Sequence, residues 1–267
     1  MDSERPPLVD IGVNLAHRQL AGDVAGVLAR GREAGVLQVV ATGTSVEGSR
    51  AAAELAAVHA GVYATAGVHP HHAKDTDAQT AGQLRELLQR PDVVAVGECG
   101  LDYDRDFSPR PVQRECFAAQ LALAAETGKP VFLHERSAHD DFVAILAEHR
   151  ASLSAAVIHC FTGTGEELDA YLAMDLHVGI TGWICDERRG LHLRDMVGRI
   201  PDERLLVETD APFLLPRTIR PRPKSRRNEP QYLPHVVETI AEASGRAYAD
   251  VARDSTTAAR VFFGLPD

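Results

Sequence analysis

Aromatic residues are scarce, making up 5% of the 267 residues, and there is a single tryptophan, Trp183. That excludes a broad base-stacking platform of the single-strand-binding type. Cysteine is scarce too. Cys99, Cys116, Cys160 and Cys185 are the only four, and they show no Cys-x-x-Cys spacing. They are too few for a disulfide framework in a chain this long and read as reduced, mostly buried thiols of a cytoplasmic protein. No stretch approaches the ~18 consecutive apolar residues that cross a bilayer, so no membrane association is expected. The opening Met1–Pro7 is charged and proline-containing and is not expected to act as a secretory signal. Basic residues are outnumbered: 28 Lys+Arg against 38 Asp+Glu leave a net charge of −10. This excludes a protein that binds nucleic acid with its whole surface, while leaving room for a local basic patch. A Gly-x-Gly-x-x-Gly turn is missing after the first apolar run, which weakens a dinucleotide-binding reading.

What the chain does have is alternation. Short apolar, β-branched runs predict strands at 8–14, 37–42, 62–67, 93–98, 131–134, 155–159, 176–180 and 205–209. Longer Ala/Leu/Glu-rich segments separate them. The helix predicted over 112–127 has Pro111 in its first turn, Gly128 at its C-terminal cap and Pro130 to end it. Gly35 punctuates the first helix in the same way. Strands alternating with helices pair in parallel through right-handed crossovers. A count of eight favours a closed (β/α)8 TIM barrel, α/β in class, forming one domain over residues 1–267. The Pro- and Arg-rich segment 212–234 is too long for a simple turn.

Polar residues fall at the ends of apolar runs: Glu98, His134, His159 and Asp210. In a parallel barrel such ends gather on one face, where these enzymes keep their active sites. Any one of them alone reads as a satisfied core residue. Four at four strand ends read as a metal-ligand set. Strand parity puts Glu98 on the face of Val96 and Val94, with Cys99 opposite. His69 and His71, after the third strand, have the chemistry of ligands, phosphate donors or surface groups, and substrate contact is the role adopted for both.

Several strings together resemble the TatD family of metal-dependent deoxyribonucleases. They are Asp10-Ile11-Gly12-Val13-Asn14-Leu15, Thr65-Ala66-Gly67-Val68-His69-Pro70-His71, Gly97-Glu98-Cys99-Gly100-Leu101-Asp102, His159-Cys160-Phe161-Thr162-Gly163, Glu208-Thr209-Asp210-Ala211-Pro212 and Arg226-Arg227-Asn228-Glu229-Pro230, with a further match over 182–190. The resemblance implies an amidohydrolase-like TIM barrel that hydrolyses DNA phosphodiesters from the 3′ end. Single-stranded ends are expected to be preferred, because a duplex end would first have to be unpaired, with RNA a further expected substrate and DNA repair or degradation the expected setting. The resemblance also implies Mg2+ as cofactor and a cytoplasmic location. A monomer is expected. The chain departs from the wider family's Asp-x-His-x-His start, with Gly12 and Asn14 where the two histidines would stand. One firmly bound ion is therefore expected rather than two.

Hydrolysis needs an activated water and a polarised phosphoryl oxygen, both of which a divalent ion supplies. Glu98, His134 and His159 are the expected principal ligands, and Asp210 a further ligand or the general base. Glu208, two residues before Asp210, reads as an orienting or a buried structural residue. Asp102 supports the site from the adjoining loop. Imidazole ligands by themselves favour Zn2+ or Mn2+. The arginines of segment 217–227 suit a polyanion, with Arg226, Arg227 and Asn228 as substrate contacts. Trp183 and Tyr103 are candidates to stack on a terminal base. A metal-dependent esterase such as an aminoacyl-tRNA deacylase is the rival enzyme, and a non-catalytic quality-control protein the rival non-enzyme.

Overall fold

The apolar runs become eight strands joined in sequence order within one sheet, the topology of a (β/α)8 barrel. The computed structural model describes residues 6–267. Its strands are β1 (Leu8–Val13), β2 (Val36–Ala41), β3 (Val62–Ala66), β4 (Val93–Asp102), β5 (Val131–Arg136), β6 (Ala156–Ile158), β7 (His177–Ile180) and β8 (Leu205–Val207). The helices are α1 (Val24–Glu33), α2 (Val46–Val58), α3 (Thr80–Leu88), α4 (Arg110–Thr127), α5 (His139–His149), α6 (Gly165–Ala173), α7 (Leu191–Met196), α8 (Leu233–Ser244) and α9 (Tyr248–Phe263). Among the described residues no helix is long and apolar enough to cross a membrane. All four thiols are free.

Contacts divide the chain into two compact units. One comprises Ala41–His159 and Glu166–His177, the other Met1–Val40, Cys160–Gly165 and Val178–Asp267.

In the first unit, β3, β4, β5 and β6 pair in parallel, and every residue of β4 is buried. A strand buried on both faces reads as a continuous apolar run, which is why these strands were visible. β4 nevertheless extends four residues past its expected end. Gly97 and Gly100 make this possible. They adopt φ of 131° and 145°, and a Cβ at either would run into the carbonyl oxygen of Phe132 or His134 on β5. The register passes from Gly97↔Phe132 to Cys99↔Leu133, so Glu98 is the extra residue of a β-bulge. A bulge re-aims the side chain it inserts, so strand parity with Val96 does not describe where Glu98 points.

α4 carries Pro111 in its first turn and ends at Gly128 with φ 68°. Two of its glutamines are buried and bond to backbone. Gln120 accepts from Val68 N at 2.7 Å and donates to Val68 O at 3.0 Å. Gln113 holds Asp102 in the same way, at 2.9 and 3.1 Å.

In the second unit, β7 pairs with β8 and an isolated parallel bridge joins Val13 to Ala211. β8 stops at Val207, three residues short of Asp210. The Pro- and Arg-rich segment is shorter than expected, because Pro230–Tyr232 forms a 3-10 turn and α8 begins at Leu233.

Candidate metal centre

The bulge at Glu98 delivers its carboxylate to three imidazoles. Glu98 Oε1 lies 2.9 Å from His159 Nε2, 3.0 Å from His134 Nδ1 and 3.3 Å from His69 Nε2. His134 is on β5, His159 directly follows β6, and His69 follows β3. His69, Glu98 and His134 each offer a ligand atom, all within 4.8 Å of one another.

Burial acts to raise the Glu98 pKa. His159 and His69, with hydrogen bonds from His134 and His159, outweigh it and hold the group well below the ordinary carboxyl range. Burial pushes His69 the other way, down to about 4, with the neighbouring His134 adding to the effect. His134 sits above its ordinary value: burial opposes protonation, but Asp102 and Glu98 favour it more strongly. At neutral pH the cluster is thus a carboxylate facing a neutral His69.

The donor set fits a divalent cation. A single carboxylate oxygen has only two lone pairs, yet three nitrogens crowd it. His134 Nε2 is buried with no hydrogen-bond partner, although Asp102 Oδ2 lies 3.4 Å away. Neutral imidazoles with one carboxylate are common ligands for divalent ions.

Asp102 lies on β4 itself, where a loop position was expected. Its Oδ2 is 2.8 Å from His71 Nε2, and its Oδ1 accepts the N–H groups of Asp104 and Arg105. Burial opposes its ionisation, but the nearby His134 ring and the bonds from His71 and Arg105 N push its carboxyl far down. Asp102 therefore orients His71 while staying anionic.

Asp210, in the other unit, takes the left-handed conformation with φ 53°, uncommon for a residue with a side chain. Its backbone N–H donates to Gly12 O at 2.9 Å, and its Oδ1 accepts from Asn14 Nδ2 at 3.0 Å. Fully buried Asp10 fixes the residue before it, accepting from Thr209 N at 2.9 Å and from the Thr209 hydroxyl at 2.6 Å. Buried Glu208 accepts from the backbone N–H of Cys160, the residue after His159.

The sequence matches the TatD-related DNase family over residues 9–264. The chain belongs to that family. A relative from Pantoea ananatis, named 3′-5′ ssDNA/RNA exonuclease TatD, is 54% identical over 259 residues, covering 97% of this chain and all of the relative. Among solved structures, a TatD homologue from Escherichia coli K12 superposes with a TM-score of 0.89 at 27% identity, covering 97% of this chain and 98% of that one. A TatD-family hydrolase from Entamoeba histolytica reaches 0.89 at 23% identity, covering 99% and 100%, a likeness of fold.

Against the TatD-family strings the structure separates residues that adjoin in sequence. Arg227 donates to buried Glu229 and to Gln19 O. Asn228 is fully buried, donating to Thr209 O and accepting from Glu229 N. Both are engaged within the fold, whereas Arg226 lines an open cavity with Trp183. Tyr103, the other stacking candidate, donates to Asp141 at 2.6 Å and lies under the Arg110 guanidinium. Sequence reading missed Gln113 and Gln120, because glutamines on a helix look solvent-facing. It also missed Asp10, a carboxylate inside an otherwise apolar strand, which is a signal that could have been read.

Proposed function

We propose that this TatD-family chain is a metal-dependent 3′–5′ exonuclease that removes nucleotides from single-stranded DNA, and from RNA, acting as a single-domain monomer in the cytoplasm. The observation that carries the reading is the meeting of three imidazole nitrogens at Glu98 Oε1. Glu98, His134 and His159 hold the ion, and His69, first read as a substrate contact, joins them. Bound there, a divalent cation supplies Lewis acidity to the phosphoryl oxygen and lowers the pKa of a nearby water.

The chain's own residues do the rest. Glu98 stays ionised at neutral pH, so the ligand set keeps its charge. Asp102 fixes the ring of His71, the most exposed of the four imidazoles, which contacts substrate. Asp210, steered by Asn14, is the general base that takes the water proton, or a further ligand. Arg226 meets the phosphodiester backbone. The cofactor is Mg2+ in this reading: TatD-family likeness favours it, although imidazoles alone favour Zn2+ or Mn2+.

EDTA-stripped protein titrated with Mg2+, Mn2+ or Zn2+ on a 5′-labelled single strand tests this. Stepwise shortening from the 3′ end, restored by Mg2+, is expected. Restoration by Zn2+ alone would overturn the metal assignment. Hydrolysis of an aminoacyl ester with the strand left intact would overturn the nuclease.

A further inference from the structure

The cavity beside Trp183 is built from two chain segments, 182–189 and 214–226, and measures about 290 Å³. That is at the small end of ligand sites, which run to roughly 300–1,000 Å³, and is the scale of one nucleotide unit. In a chain carrying a net charge of −10, its lining is strongly basic, with Arg188, Arg189, Arg217, Arg222 and Arg226.

These arginines are of two kinds. Three are organised by a buried acid: Asp186 Oδ2 lies 3.0 Å from both Arg188 and Arg189, and Asp186 Oδ1 lies 3.6 Å from Arg217. Glu187 takes the other side of Arg217 at 2.6 Å. Arg222 and Arg226 have no carboxylate or other hydrogen-bond partner among the described residues. Two guanidiniums so placed are ready for an anion, and guanidinium matches phosphate oxygens in a paired geometry. Most of the remaining lining is apolar. The Arg189 guanidinium sits 4.2 Å from the Trp183 ring centroid, and Trp183 Nε1 donates to Arg189 O at 3.2 Å, which holds the indole in place. Leu214, Leu215 and Pro223 line the same cavity. A phosphate clamp beside an apolar aromatic wall is complementary to one nucleotide.

We infer that this cavity is a second nucleotide-binding site, separate from the residues that hold the ion, which takes one unit of the single strand with its phosphodiester on Arg222 and Arg226 and its base against the Trp183 wall. The inference rests on the exonuclease reading and adds how the strand is gripped. It also explains the sparse aromatics: a chain that holds one base needs one indole.

Trp183 is the only tryptophan, so its fluorescence reports on the cavity. EDTA-stripped full-length protein is titrated with hexathymidylate, with thymidine monophosphate and with inorganic phosphate, and binding of the labelled oligonucleotide is followed in parallel by anisotropy. Hexathymidylate is expected to change Trp183 emission saturably. The R222A/R226A variant should bind it at least tenfold more weakly, with a log Kd against log salt slope lower by about one per arginine. R222K/R226K should recover part of the affinity, which separates loss of charge from misfolding. Unchanged Trp183 emission together with normal anisotropy binding in R222A/R226A would overturn the site while leaving the nuclease intact. Equal response to inorganic phosphate, without dependence on strand length, would reduce it to a generic anion pocket and also overturn it. Failure of the nuclease reading shows elsewhere, as wild-type protein with metal leaving every strand undigested.

Discussion

Gln113 grips Asp102 by the backbone, accepting its N–H at 2.9 Å and donating to its carbonyl at 3.1 Å. The same amide nitrogen reaches Ser108 O at 2.8 Å, so one helix side chain fixes both ends of the loop that leaves β4. Asp102 in turn lies against His71 and His134, so Gln113 of α4 acts on the aim of two imidazoles through Asp102.

Gln113→Ala leaves the buried N–H and C=O of Asp102 without partners. Such orphaned groups cost about 1–3 kcal/mol. Urea unfolding should show that loss, and nuclease turnover should fall with it. An unchanged unfolding midpoint would show that the clasp is incidental.

Gly100→Ala is expected to be severe. Its φ of 145° is foreign to a residue with a side chain, and the new Cβ would meet His134 O. Strain and overpacking each cost about 1–3 kcal/mol. The variant should unfold at a markedly lower temperature or fail to accumulate, and a thermal midpoint within 2 °C (roughly 0.5–1 kcal/mol) would refute the close approach.

Arg226 and Arg227 should part company under alanine substitution. Arg227→Ala removes one of two arginine partners of buried Glu229 and should cost about 1–3 kcal/mol of stability. Arg226→Ala should stay within about 0.5 kcal/mol, yet weaken single-strand binding and flatten its salt dependence. Thermal melts and anisotropy on the two variants measure both effects.

Acid should weaken the chelator-stripped protein through His69. The folded pKa of about 4 lies below the ordinary 6.5, so between these values the unfolded chain binds the extra proton and stability rises with pH. The contribution is present above about pH 6.5 and is lost as pH falls toward 4, up to ~3 kcal/mol. His134, raised rather than lowered, contributes the opposite slope. The comparison is therefore wild type against His69→Asn, whose stability should fall less steeply over that window. Parallel profiles would contradict a buried neutral His69.

Much of the molecule was legible in its residues. β1 was expected over 8–14 and forms over Leu8–Val13. Pro111 and Gly128 bound α4 because fixed φ at one end and positive φ at the other are properties of single residues. Glu98, His134 and His159 stood out as polar residues closing apolar runs, and they meet. Asp102 was misplaced in a loop, since nothing local reveals that Gly97 and Gly100 let β4 run on against β5. His69 was assigned to substrate for a similar reason: its distance to Glu98 depends on neighbouring strands. The arginines of 217–227 read alike in one dimension, although Arg217 and Arg227 are spent on Asp186, Glu187 and Glu229, Arg220 on backbone carbonyls, and Arg222 and Arg226 on neither.

The linear order of residues by itself determined the alternation of strand and helix, the (β/α)8 topology and which ionisable groups sit at strand ends, because periodicity, capping and burial of continuous apolar runs act over a few neighbours. Only the tertiary structure decided which nitrogens crowd Glu98 Oε1, which glutamines hold the site-bearing backbone and which arginines stay open to an anion. Those outcomes depend on a one-residue bulge and on pairings between groups tens of residues apart, where a shift of a single register position changes every partner.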